Sequence, residues 1–211
     1  MERFGIREVV ASGDARTLRR LVRGRVVYLA SASPRRRALL SVCGVRYRML
    51  RQTLDEPEPT GPDWRRWVRT WSLRKARDAA GRVGRGLVIG ADTIVVAGRC
   101  AYGKPDNGRV AATILRRLSG RRHQVMTGVA VVDAASGHAA TGSEVTAVTF
   151  RTVTRAEIDD YVASGEPMDK AGAYAIQGGA RAFVTRCDGP LDNVIGFPIG
   201  CLVRVAARVV L

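Results

Sequence analysis

Unbroken runs of aliphatic and β-branched residues alternate along this chain with stretches of helical period, and that alternation constrains the fold most. VVYLA at 26–30 and the run GLVIGADTIVVAG at 86–98 carry no polar–apolar alternation. Such runs suit strands buried inside a sheet. Between them the chain predicts helices: Pro34 to about Val42, stopped by Gly44, and a long one across GPDWRRWVRTWSLRKARDAAGRVG, with Pro62 early and Gly81 late. DNGRVAATILRRLSG gives another amphipathic helix, and TRAEIDDYVASGEP opens on a capping box, Thr154 with Glu157 three residues on. QVMTGVAVVD and EVTAVTFRTV are two strands joined hairpin-fashion at ASG, AFVTRC is a further strand, and FPIGCLVRVAARVV closes as a helix. Strands alternating with helices but including a hairpin imply an α/β fold with a mixed sheet flanked by helices.

Residues 1–24 read as a basic N-terminal extension, either disordered or a short helix ARTLRRLVR capped by Asp14 and stopped by Gly24. The domain proper is expected over 25–211. The chain carries a formal charge of +16, and 32 of its 35 basic residues are arginine. A charge of this size points to nucleic acid, an anionic surface or a polyanionic substrate; equally, arginine can occupy ordinary solvated positions in place of lysine. On that second reading Lys75, Lys104 and Lys170 mark places where arginine would not serve. Four scattered cysteines without a C-x-x-C pair give neither a zinc site nor a disulfide framework, and buried free thiols are expected. Two histidines leave little for a His-based metal site or triad. With no membrane-length apolar run and no signal core, a cytoplasmic location is expected.

Four segments carry candidate chemistry. In SASPRRR, Ser33 is a good N-cap and Pro34 suits the first helical position. The helix start then offers N–H groups and dipole to a phosphate, with Ser31 and Ser33 adding hydroxyls. Helical positions diverge by about 100°, so Arg35 and Arg36 are the candidate grips and Arg37 a solvated face. The alternative is an ordinary capped helix. In GADT a buried strand delivers Asp92, which serves as general base, cation ligand or simply a cap; Gly90 allows close backbone approach, and Asp55-Glu56 in a proline-braced loop supplies a second acidic group. GKP brings Lys104 on a stiffened loop, and Lys75 falls one turn after Trp71 at the edge of a buried face. Trp64, Trp67 and Trp71 share one helix face, read as core or subunit interface, with nucleotide stacking the alternative. EPMDKAGAYAIQGGA holds Lys170, Asp169 and Gln177 among small residues, and the Gln177 amide can read a base edge or merely satisfy a loop.

Taken together, LASASPRR at 29–36, DE at 55–56, S-x-x-KA at 72–76, GADT at 90–93, GKP at 103–105, LSG at 118–120, TG at 127–128, Y-x-x-SGEP-x-DKAGAYAIQG at 161–178 and N-V-I-G-F-P at 193–198 resemble the Maf (septum formation inhibitor) family of nucleoside triphosphate pyrophosphatases. The resemblance implies hydrolysis of a nucleoside triphosphate between the α and β phosphates, a divalent metal cofactor (Mg, Mn or Co), a central cleft in an elongated fold shared with inosine-triphosphate pyrophosphatases, and a homodimer. It implies Asp92 as base, Glu56, Lys75 and Lys104 around metal and phosphates, Glu56 and Asp92 as metal ligands, and Ser31, Ser33, Arg35 and Arg36, with Lys170, on the substrate. SPRR, GADT and IQG resemble the branch acting on dTTP and UTP, with Arg36, Thr93 and Gln177 discriminating.

Two other readings stand beside this one: a polyanion- or partner-binding division regulator with little hydrolysis, and a pyrophosphatase of modified purine nucleotides. Acidic groups among the cations favour the enzyme, because a pure polyanion binder gains nothing from them. Nucleic acid is not favoured, since few aromatics are free for base stacking.

Overall fold

Two short helices, α1 (Ile6–Val9) and α2 (Ser12–Leu21), precede the first strand, β1 (Val27–Ala30). Helix α3 (Pro34–Val42) carries the chain to β2 (Arg48–Met49), and α4 (Trp64–Ala80) carries it back to β3 (Leu87–Ala97). Both flanking strands run parallel to β1, which is why helices make the connections. A tight turn at Gly98 then pairs β4 (Cys100–Tyr102) antiparallel to β3. After α5 (Gly108–Leu118), strands β5 (Arg122–Asp133) and β6 (Ala139–Phe150) form the hairpin expected from the sequence. Helix α6 (Arg155–Ala163) leads through three short 3-10 turns to β7 (Val184–Asp188), and α7 (Leu191–Ile195) and α8 (Ile199–Val210) close the chain. The computed structural model describes residues 6–55, 57–61 and 63–211, so the expectations placed on Glu56, Pro62 and the first five residues lie outside the described residues.

The seven strands form one mixed sheet in the order β2-β1-β3-β5-β6-β7, with β4 on β3. Helix α4 covers one face through small residues: Ala76 and Ala79 pack with Ala30, Val88, Ala130 and Val132. Helices α3, α5, α6 and α8 cover the other face around Leu29, Ile89, Ala91, Val129 and Val131. Local signals set several boundaries. Ser33 accepts from the Arg36 N–H to start α3, with Pro34 next. Thr154 and Glu157 form the reciprocal capping box of α6.

The N-terminal segment departs from its expectation. Helix α2 begins at Ser12, Asp14 lies inside its first turn instead of capping it, and Ala11 is the N-cap. Leu18 is fully buried, and with Val10 and Val22 it joins the main core beside α8. The cysteines depart in part: all four are free, Cys43 and Cys201 are buried and Cys187 half-buried, but Cys100 is exposed. Among the described residues no helix is long and apolar enough to cross a membrane.

Candidate active site

The site starts from two glycines. Along β3, Val88, Gly90, Asp92 and Ile94 alternate toward α4. A Cβ on Gly90 would lie 2.3 Å from the Ser72 carbonyl oxygen, and one on Gly128 would lie 2.1 Å from that of Val68. Gly128 is the cross-strand partner of Asp92. The α4 backbone therefore rests directly on the sheet on both sides of Asp92, and Lys75 is brought down onto it. Lys75 Nζ donates to Asp92 Oδ1 at 2.6 Å, and the two residues are 3% and 6% exposed. Burial pulls the Lys75 ammonium down to about 8, against the attraction of Asp92 that holds its proton, with Arg36 and Lys104 adding repulsion.

Arg36 forms a second knot, where α3 meets the sheet. Its Nε donates to the Gly196 carbonyl at 2.9 Å, Nη1 to the Ala91 carbonyl at 2.9 Å and to Ser31 Oγ at 3.2 Å, and Nη2 to Thr93 Oγ1 at 3.0 Å. Thr127 Oγ1 donates to the Asn193 carbonyl at 3.1 Å. The proton of the 3.1 Å contact between Thr93 and Thr127 must then come from Thr93. Most of the Arg36 fork and the Thr93 hydroxyl proton are thus committed inside the protein. What Arg36 has left to offer a ligand is chiefly its charge. Burial lowers its guanidinium to about 10, Asp92 offsets this, and Arg35 adds to it. Ser31 also accepts from the Ser33 N–H at 3.2 Å, which leaves both serine O–H groups to be donated.

The outer cations are arranged around the carboxylate of Asp169, which the sequence marks beside Lys170 without a role of its own. Arg35 Nη1 donates to Asp169 Oδ2 and Nη2 to the Asp169 carbonyl, each at 3.2 Å. Lys170 Nζ bonds the same carboxylate and, at 2.6 Å, the Glu166 carbonyl. Asp169 sits immediately before Lys170 in the same glycine-rich segment. Lys104 is held below the usual lysine range by burial and then by Arg36, against Asp92 and Asp169. Thr127 and Asn193 were likewise visible in the sequence as motif letters without roles.

These groups line one cleft of about 1390 Å³. Ser31, Ser33, Arg35, Arg36, Lys75, Asp92, Thr93, Lys104, Lys170 and Gln177 all reach it, so every described candidate residue is brought together; Glu56 lies outside the described residues. Trp64, Trp67 and Trp71 form part of its wall while also packing inward. No group of three or more His, Cys, Asp or Glu among the described residues converges to hold a metal alone. The donor set still suits a hard cation: Mg²⁺ commonly takes one or two carboxylates and completes its shell with substrate oxygens and water. Asp92 offers Oδ2 for that, since Lys75 engages Oδ1. Convergent cations, a buried carboxylate and a helix N-terminus can bind a polyphosphate and activate water beside it.

The profile of the Maf-like protein family matches residues 26–209. The chain is 46% identical over 176 residues to a dTTP/UTP pyrophosphatase of Pelotomaculum thermopropionicum, covering 83% of this chain and 92% of that one. It is 46% identical over 171 residues to one of Moorella thermoacetica (81% and 88% covered) and 43% identical over 174 residues to one of Escherichia coli O157:H7 (82% and 87% covered).

Proposed function

This chain belongs to the Maf family, and from that premise we propose that it hydrolyses dTTP and UTP to the monophosphate and pyrophosphate. The observation that carries the reading is the buried Lys75–Asp92 pair at 2.6 Å on the floor of a cation-lined cleft. Asp92 takes the proton of the attacking water, and Lys75 fixes the rotamer of that carboxylate. Ser31, Ser33, the α3 N-terminus, Arg35, Lys104 and Lys170 hold the triphosphate, and Arg36 adds charge from behind. Gln177 meets the base edge, and Thr93 supports the same wall.

A nucleotide pyrophosphatase of this kind is expected to need a divalent metal. Asp92 and Glu56 would hold Mg²⁺, Mn²⁺ or Co²⁺, which when bound neutralises phosphate charge. A cytoplasmic homodimer belongs to the same proposal and rests on the resemblance; light scattering of the purified chain reads the stoichiometry.

The test is turnover of dTTP, UTP, CTP, GTP and 7-methyl-GTP with Mg²⁺, with products separated chromatographically. Monophosphate plus pyrophosphate, fastest from dTTP or UTP, is expected. Asp92→Asn should keep the fold and lose at least about two orders of magnitude in kcat, as removal of a general base does. No turnover with any of the three metals overturns the reading, and a variant with wild-type turnover removes Asp92 from its role.

A further inference from the structure

Gln177 sits at a corner of a four-residue turn, Ala175 to Gly178, closed by the Gly178 N–H on the Ala175 carbonyl at 3.1 Å. Both arms of that turn are held by one pair of side chains that lies behind it. Tyr161, on the last turn of α6, accepts at its hydroxyl oxygen from the Ala175 N–H at 3.1 Å. The same hydroxyl donates to Glu166 Oε1 at 2.9 Å. The other carboxylate oxygen, Oε2, accepts from the Gly179 N–H at 3.1 Å. The phenol and the carboxylate therefore bracket the turn, one gripping Ala175, its first residue, and the other Gly179, the residue just past its end.

The fit behind the turn is close. A Cβ on Gly178 would lie 1.9 Å from Glu166 Oε1, and one on Gly179 3.2 Å from the Tyr161 ring. The Tyr161 ring is itself fixed edge-on to Phe183, with centroids 5.5 Å apart. Burial raises the Tyr161 hydroxyl above its ordinary range, against the Ala175 N–H and with Glu166 adding to the rise, so it stays a donor to the carboxylate at all working pH values. Among the described residues no hydrogen bond engages the Gln177 side-chain amide, which faces the cleft. An amide that discriminates bases must be aimed, and with no hydrogen bond to its side chain among the described residues, the backbone turn sets its direction.

We propose that Tyr161 and Glu166 are positioning residues for base selection, holding the Gln177 turn in register with the cleft without touching the substrate. This inference rests on the pyrimidine reading of the site. The Glu166 carbonyl accepts from Lys170, but the phenol and carboxylate themselves bond only the backbone around the Gln177 turn and each other among the described residues, so the pair acts on which nucleotide binds more than on how fast the anhydride breaks.

The experiment uses the full chain with Tyr161→Phe, which deletes both hydroxyl bonds, and the isosteric Glu166→Gln, which keeps the volume where the first variant proves poorly folded. Two quantities are read: relative kcat/KM across the nucleotide panel, and amide exchange at Ala175 and Gly179. The preference for dTTP over CTP and GTP should narrow roughly tenfold, the factor carried by about 1.4 kcal/mol, mainly through KM for dTTP. Exchange at both amides should quicken, and Gly178→Ala, which displaces the carboxylate from the loop side, should reproduce the pattern. An unchanged preference ratio in folded variants overturns the positioning role and leaves the pyrimidine reading standing. A wild-type enzyme without a pyrimidine preference overturns that reading instead. The bracket is then judged on exchange alone, and unaltered exchange at Ala175 and Gly179 refutes it too.

Discussion

Replacing Gly90 with alanine would place a methyl carbon 2.3 Å from the Ser72 carbonyl oxygen, 2.9 Å from the Ala76 nitrogen and 3.0 Å from the Ala76 Cβ. Ordinary contact at such a site begins near 3.4 Å, so α4 must retreat by roughly 1 Å, and helix backbone cannot swing aside as a flexible side chain would. Lys75 lies between Ser72 and Ala76 on that helix, so its ammonium moves with it. A 2.6 Å ion pair stretched by that amount leaves hydrogen-bonding range. Overpacking of this kind costs about 1–3 kcal/mol, which for a chain of this size lowers Tm by roughly 2–12 °C at ~2–4 °C per kcal/mol. Misplacement of a catalytic group by about 1 Å can cost ~100-fold in rate, so kcat should fall much further than stability. The assay is a melt together with kcat on dTTP, with Gly84→Ala as control, because nothing lies within 4 Å of a Cβ there. A Gly90→Ala protein with wild-type Tm and kcat refutes the packing argument. A lowered Tm with wild-type kcat refutes the link from α4 to the Lys75–Asp92 pair.

Gln177→Glu exchanges an amide for a carboxylate without changing shape, and it should shift relative kcat/KM across the nucleotides while leaving Tm nearly unchanged; identical ratios would remove Gln177 from base reading. His123 supplies a pH dependence away from the catalytic groups. It is buried against Phe150 and Tyr174, its Nε2 shares a 3.0 Å hydrogen bond with the Tyr174 hydroxyl, and burial lowers its imidazole to about 4. The unfolded chain takes a proton near pH 6.5 and the folded one only near 4, so this contribution is intact above about 6.5 and is lost as pH falls toward 4. At ~1.4 kcal/mol per pKa unit it amounts to about 3 kcal/mol; His123→Leu should flatten the fall of Tm across that window, and an unaltered slope would count against it.

Local physics was legible in the sequence, and long-range physics was not. Ser33-Pro34 marked the start of α3 and Thr154 with Glu157 that of α6, because a cap is decided within four residues. Gly90 signalled close backbone approach, but what approaches is Ser72, and only the sheet register sets Gly128 beside Asp92 to receive the same helix. Helix α2 read as an appendage because its apolar stripe is short; Leu18 and Val22 find their partner in α8, at the far end of the chain. The candidate residues meet in one cleft, yet the partners each of them holds there were hidden in the sequence. Arg36 looks in sequence like a second phosphate grip, and only the converging carbonyls of Ala91 and Gly196 show its fork already filled.

The contrast between that arginine and the lysines gives the charge of +16 a sharper meaning. Where 32 of 35 basic residues are arginine, all three lysines line the cleft. Chance substitution would scatter them. Lys75 reaches a buried carboxylate oxygen between helix and sheet, and Lys170 a carbonyl and a carboxylate side by side; both positions take a compact ammonium, whose shape and donor geometry a planar guanidinium does not reproduce. Arg36 is the converse case. Its acceptors are spread over β1, β3 and the turn after α7, and a lysine there would strand several of them at a desolvation cost of about 1–3 kcal/mol each. The surface tolerates arginine wherever a solvated charge will do. In the cleft, where Arg35 and Arg36 stand beside the three lysines, the local acceptors decide which cation fits, and that selectivity locates the chemistry better than the net charge does.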